Sequence, residues 1–166
     1  MRFKFFCLAV LLLFSCSPDR TKEWRTRMGE INKTLLINEI YFNNALIDSF
    51  EYFSLEKELE IIKNSKSDVE IKIVLDSTLI PFTNINEYAS YLLGLQEACY
   101  IDSVSTPGII LICLFEIDRE VMIRTNEIAK EKYPDAFLQH IVDSIFIPSF
   151  KQKQCFEGLI QGLKVF

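Results

Sequence analysis

Ile109-Ile110-Leu111-Ile112-Cys113-Leu114-Phe115 is an unbroken apolar run of seven residues, and Pro107-Gly108 punctuates its start. A run this short, rich in β-branched and aromatic residues, reads as a central strand covered on both faces. Glu116 to Arg119 is a four-residue polar link, short enough for a hairpin. Glu120-Val121-Met122-Ile123-Arg124-Thr125 then alternates, as a half-covered edge strand does. Upstream, Val69 to Leu75 starts with the same alternation and ends fully apolar, giving another strand.

Helical periodicity surrounds these strands. The dense but interrupted stretch Leu35 to Phe53 reads as loop and turns. Ser54 is a plausible N-cap for a helix whose Leu55, Leu59 and Ile62 face inward. Asn84 followed by Glu87 has the spacing of a capping box, ahead of the stripe Ile85, Tyr88, Ala89, Leu92 and Leu95. Pro134-Asp135 opens a third helix, Ala136 to about Phe146, which Pro148 ends. Phe156, Leu159, Ile160 and Leu163 mark a last amphipathic helix. The order predicts an α/β fold: a small mixed sheet sandwiched between helices, an αβα arrangement.

The N-terminus carries a different signal. Arg2 and Lys4 precede the ten-residue apolar run Phe5 to Phe14. Ten helical residues span about 15 Å, half of a bilayer core, which suits a signal-peptide core and not a spanning helix. Leu13-Phe14-Ser15-Cys16 resembles a bacterial lipobox. The resemblance implies a signal peptide over residues 1–15, cleavage before Cys16, and attachment of acyl chains such as palmitate at its sulfur. Residues 16–33 then read as a lipidated polar tether and 34–166 as the domain. Localisation follows: a membrane-anchored lipoprotein of the bacterial cell envelope.

Cleavage changes the charge balance. The whole chain has 166 residues, 18 basic and 23 acidic, net −5. Without Arg2 and Lys4 the balance is 16 against 23, net −7. No basic stripe is present, so nucleic acid is not an expected partner. One histidine excludes a three-His zinc site within the chain. Cys99, Cys113 and Cys155 remain as thiols. Cys113 sits in an apolar run as a buried small hydrophobe, and Cys99 with Cys155 is the conceivable disulfide.

Several of these stretches together resemble the TPM domain family. They are Glu70 to Leu75, Ile85-Asn86-Glu87-Tyr88-Ala89, Gly108 to Ile112, Asp118-Arg119-Glu120-Val121, Tyr133-Pro134-Asp135-Ala136, and the closing Pro148-x-Phe150-Lys151 with Phe156-Glu157-Gly158-Leu159-Ile160-x-Gly162. Coverage is about residues 40 to 166. The resemblance implies calcium binding, phosphatase activity or upkeep of membrane protein complexes. Three departures weaken the first two, one being Thr106-Pro107, which stands where an acidic residue commonly precedes the central-strand glycine. Thr125-Asn126-Glu127 stands where the family carries Gly-x-Gly, and the family's early aspartate falls near Asn43-Asn44.

Candidate ligands for a hard cation such as calcium are Asp118 and Asp135, with Asn126 as a carbonyl donor. The competing roles are a turn for Asp118 and a helix start for Asp135. Asp76-Ser77-Thr78 follows a strand as a phosphatase nucleophile does, but Thr78 replaces the second aspartate that chemistry needs, which leaves a turn. His140 and Cys155 show no orienting third group. The expected function is an envelope-anchored accessory or scaffold factor for membrane proteins, without catalysis. The alternative is a metal-dependent phosphatase-like hydrolase or calcium-binding module using Asp118 and Asp135.

Overall fold

The computed structural model describes residues 18–43, 46–65, 68–80, 82–100 and 105–166. The signal segment, Cys16 and its lipid attachment lie outside the described residues. The elements are α1 (Pro18–Asn38), β1 (Ile40–Asn43), α2 (Ser49–Ser65), β2 (Val69–Asp76), α3 (Ile85–Ala98), β3 (Gly108–Phe115), β4 (Glu120–Thr125), α4 (Glu127–Lys132), α5 (Asp135–Ile141), a π-turn (Val142–Phe146), α6 (Ile147–Lys151) and α7 (Cys155–Leu163). The sheet order is β1-β2-β3-β4. β1, β2 and β3 are parallel, and β4 pairs antiparallel with β3. The sheet is mixed and flanked by helices, as the sequence pattern predicts.

Alternation along β2 and β3 sorts the core into two layers. Ile71, Ile73, Leu75, Ile110, Ile112 and Leu114 face α2 and the C-terminal helices. Val74, Ile109, Leu111, Cys113 and Phe115 face α1 and α3. Every residue of β3 is buried, whereas β4 is half-buried throughout. The two parallel crossovers therefore run over opposite faces while stepping the same way across the sheet. They must differ in hand, and one is the uncommon left-handed kind.

The stretch read as a tether is largely helix. α1 starts at Pro18, and Met28, Ile31 and Leu35 are buried against α3 and the sheet. Their spacing of three and four residues places them on one helical face. The surrounding polar residues hid that short stripe. α1 ends at Asn38, and Glu39 takes a left-handed φ of 63° to turn the chain into β1.

Three smaller expectations change. Ser54 is interior to α2, its hydroxyl donating to the Phe50 carbonyl at 2.9 Å. Asp48 caps α2 instead: Glu51 N–H donates to its Oδ1 at 2.8 Å, and its own N–H donates to Glu51 Oε2 at 2.7 Å. At α3, Glu87 N–H donates to Asn84 Oδ1, while the Glu87 carboxylate accepts from Thr83, one residue before the cap. Pro148 does not end the helical stretch either. The π-turn widens the coil ahead of α6, so Pro148 falls in a first turn, where its missing N–H matters little. That turn buries Phe146 against Gly162 of α7, where an added Cβ would overlap the ring.

Candidate functional site

In open α/β sheets the crevice beyond the carboxyl ends of the strands is the usual ligand position. Here that edge is built from the ends of β1, β2 and β3 and closed from one side by α1. Asp76, the last residue of β2, is fully buried. Its Oδ2 forms an ion pair with Arg27 Nη2 at 2.6 Å, and its Oδ1 accepts from Ser77 N–H at 2.7 Å and from Asn43 Nδ2 at 3.4 Å. The Arg27 guanidinium also donates to the carbonyls of Thr78 at 3.3 Å and Ile80 at 3.4 Å. One arginine thus neutralises a buried acid and fastens the β2–α3 loop to α1. Burial alone lowers an arginine pKa. The Asp76 carboxylate outweighs that effect and holds Arg27 above its ordinary value.

Two tyrosines complete the cluster. Burial raises the Tyr41 hydroxyl, and the Asp76 charge adds to it. Burial also pushes Tyr88 well above the ordinary phenol range, with smaller contributions from Cys113 and Asp76. Tyr88 packs edge-on against Phe115, with ring centroids 4.8 Å apart. Its buried hydroxyl has no hydrogen-bond partner among the described residues.

Asp118 belongs to this same edge. Its Oδ2 accepts from Leu79 N–H at 2.7 Å, which joins the β3–β4 hairpin to the β2–α3 loop. Asn126 lies at the opposite end of β3. It is buried and N-caps α4, its Oδ1 accepting from Ile109 N–H at 2.9 Å and Ala129 N–H at 3.0 Å. Its Nδ2 donates to the Pro107 carbonyl at 3.0 Å. Asp135 is exposed in the first turn of α5 and pairs with Lys130 at 3.0 Å. An eight-residue strand spans about 26 Å, so Asp118 is separated by roughly that length from the Asn126 end. The structure does not bring the three sequence candidates together. No cluster of three or more His, Cys, Asp or Glu side chains suited to a metal occurs among the described residues.

The cysteines are also apart. Cys99, Cys113 and Cys155 are free thiols. Cys99 ends α3 beside Tyr100, whose hydroxyl donates to Glu70 Oε2 near the start of β2. Burial raises the Cys155 thiol first, followed by the charges of Glu116, Glu157 and Glu51, of which Glu116 follows β3 and Glu51 opens α2 at the carboxyl edge. The two conceivable disulfide partners thus sit at opposite ends of the sheet. Cys113 is fully buried, and burial pushes its thiol far up. His140 is exposed, with Nδ1 3.0 Å from Ser144 Oγ one turn along.

Sequence reasoning missed Arg27 and gave Asp76 only a turn role. The signal was the Met28, Ile31, Leu35 stripe, which puts Arg27 on a packed helix instead of a tether.

The sequence profile of the TPM domain matches residues 40–166. No curated protein matches the chain. Among solved structures, the N-terminal domain of a P. gingivalis protein, solved by solution NMR, superposes with a TM-score of 0.64 at 18% identity, covering 80% of this chain and 83% of that one. The BA42 protein of the psychrophilic bacterium Bizionia argentinensis gives 0.60 at 16% identity, over 73% and 79%. The N-terminal domain of a Corynebacterium glutamicum protein gives 0.56 at 11% identity, over 77% and 76%. At these identities the likeness concerns the fold.

Proposed function

The chain belongs to the TPM domain family, and from that premise we propose that it is an envelope-anchored lipoprotein acting as a non-enzymatic accessory factor for membrane proteins. The observation that carries this reading is the Arg27–Asp76 pair. At the edge where an α/β domain presents its reactive groups, the buried carboxylate is engaged by a guanidinium that also holds two loop carbonyls. A general base or nucleophile needs its lone pair available to substrate, and Asp76 has its own committed. The lipobox-like Leu13-Phe14-Ser15-Cys16 supports the anchor. Among the described residues no helix is long and apolar enough to cross a membrane.

The test uses the full chain in a bacterial host. Wild type should fractionate with membranes and incorporate palmitate, Cys16→Ser should do neither, and in-cell crosslinking should recover adducts with membrane proteins. Phosphomonoester hydrolysis by the purified protein, dependent on calcium or magnesium and lost in Asp135→Asn, would overturn the accessory reading in favour of the hydrolase. Asp118 accepts from Leu79 N–H and Asp135 pairs with Lys130, each in its own surroundings, which gives that alternative no support.

A further inference from the structure

The four most exposed large apolar side chains among the described residues are Phe50 at 78%, Ile117 at 71%, Ile80 at 68% and Phe53 at 64%. All four follow the carboxyl ends of the parallel strands. Phe50 and Phe53 lie in the first turns of α2 after β1, Ile80 in the loop after β2, and Ile117 in the hairpin after β3. The exposed Phe42, next to last in β1, lies 6.1 Å from the Tyr52 ring, which is 5.8 Å from Phe53. A chain of aromatic rings therefore runs along one flank of this edge.

α1 points out of the molecule at the same end. Arg27 is level with the β2–α3 loop through its bonds to Thr78 and Ile80, and the helix delivers the chain inward to β1. Residues 18–26 therefore continue beyond the edge, about 14 Å at 1.5 Å per residue. The sequence preceding them is Cys16 and the apolar run Phe5 to Phe14. The direction of α1 and the apolar tips thus converge on one side of the domain.

We propose that the carboxyl edge is a membrane-contacting face, with the strands inclined to the bilayer so that Phe50, Phe53, Ile80 and Ile117 share with residues 18–26 of α1 the interfacial layer of the bilayer that holds Cys16. The proposal rests on the anchor reading above. It adds an orientation: the Arg27–Asp76 edge faces the lipid and the Asn126 edge faces away. Aromatic and aliphatic tips on short loops suit this layer, and they supply a second apolar contact beside the acyl chains. On the same edge the exposed Asp48, Glu116 and Asp118 and the half-buried Glu51 outnumber the exposed Arg119, which disfavours an anionic surface. The lipid is therefore zwitterionic.

The experiment uses the full lipidated chain with Cys99→Ser and Cys155→Ser, Cys113 remaining buried. A nitroxide is placed in turn at Phe53→Cys, at Ile80→Cys and, as the amino-edge control, at Glu131→Cys. The protein is reconstituted on phosphatidylcholine vesicles, and flotation is measured first. The expected result is flotation, with labels at 53 and 80 gaining oxygen accessibility and losing nickel-chelate accessibility, while the label at 131 stays aqueous. Flotation with all three labels aqueous would overturn the orientation and leave the anchor standing. It would reassign the apolar edge to a protein partner. No flotation of a chain shown by mass to carry its lipid would remove the anchor reading and the orientation with it. Insertion only when phosphatidylglycerol is added would overturn the choice of a zwitterionic surface.

Discussion

The two edges of the sheet solve the same problem with different materials. Both end a buried parallel strand and both need polar groups satisfied below the surface. The amino edge is closed from within. Asn126 makes three hydrogen bonds to backbone, and α4 sits so close that a Cβ on Gly108 would meet Ala129 at 3.2 Å. The buried Lys72 pairs with Glu70 at 2.9 Å, and Tyr100 donates to the same carboxylate. The carboxyl edge is closed by a long side chain from a neighbouring helix. Arg27 reaches Asp76 while remaining 28% exposed, among apolar tips that face outward. Short, rigid closure makes the amino edge a structural joint. Closure by one arginine leaves the carboxyl edge a surface that meets something else.

The largest effect is expected at the joint. Asn126→Ala removes the α4 cap and leaves buried Ile109 N–H without its acceptor and the Pro107 carbonyl without its donor. Losing a cap costs about 1 kcal/mol and each stranded buried group about 1 to 3. We expect about 3 kcal/mol in urea unfolding. A loss below about 1 kcal/mol would remove the distinction between a rigid and an adaptable edge.

Arg27→Met should cost less, about 2 kcal/mol. Breaking a fully buried pair costs about 3 to 5 kcal/mol, but Arg27 is partly exposed, so solvent screening reduces its share. Asp76 also keeps its Ser77 and Asn43 donors. Asp76→Leu combined with Arg27→Met should recover most of the loss, because no uncompensated charge then remains. A double variant as unstable as the sum of its parts would show that the pair is not coupled in this way.

These two residues also show what the sequence made legible. β2, β3, β4 and the Asn84 cap follow from period-two alternation and capping spacing, which are local. The fold class and the family follow from their order. Asn126 was picked out as a cation donor because a side-chain carbonyl is visible in sequence, while the backbone groups it satisfies are not. Arg27 was invisible for a related reason. Its partner is 49 residues away, and the helix that carries it reads as polar because only Met28, Ile31 and Leu35 mark its buried face. β1 was missed because four residues among asparagines give no period. Its strand character comes from pairing with Ile73 to Asp76.

pH separates the edges further. Burial alone would raise the Glu70 pKa. The hydrogen bonds from Tyr100 and Lys72 and the charges of Lys72 and Lys63 outweigh it, so Glu70 lies below its ordinary value of 4.5. A carboxylate depressed in the folded state adds stability that is fully present above the unfolded value and is lost as pH falls through the folded one. Between pH 6 and pH 3 the wild type should therefore lose more stability than Glu70→Gln, by a chemical-denaturation series. Equal slopes would mean that the amino-edge network is not linked to protons through Glu70.

The smallest effect belongs to the carboxyl-edge hairpin. Arg119 closes it with φ 56°, in the left-handed region, and it is exposed. A side chain in that region is strained by about 1 kcal/mol, and glycine relieves the strain but gains freedom in the unfolded chain. Arg119→Gly should therefore stabilise by only about 0.5 kcal/mol, read as a slightly higher urea midpoint at unchanged m-value. Because Asp118 next to it holds Leu79 N–H, the outcome also tests the hairpin as a brace for the Asp76 loop. If glycine loosens that brace, the midpoint falls instead. The carboxyl edge would then depend on local strain for its shape, as the amino edge depends on Asn126.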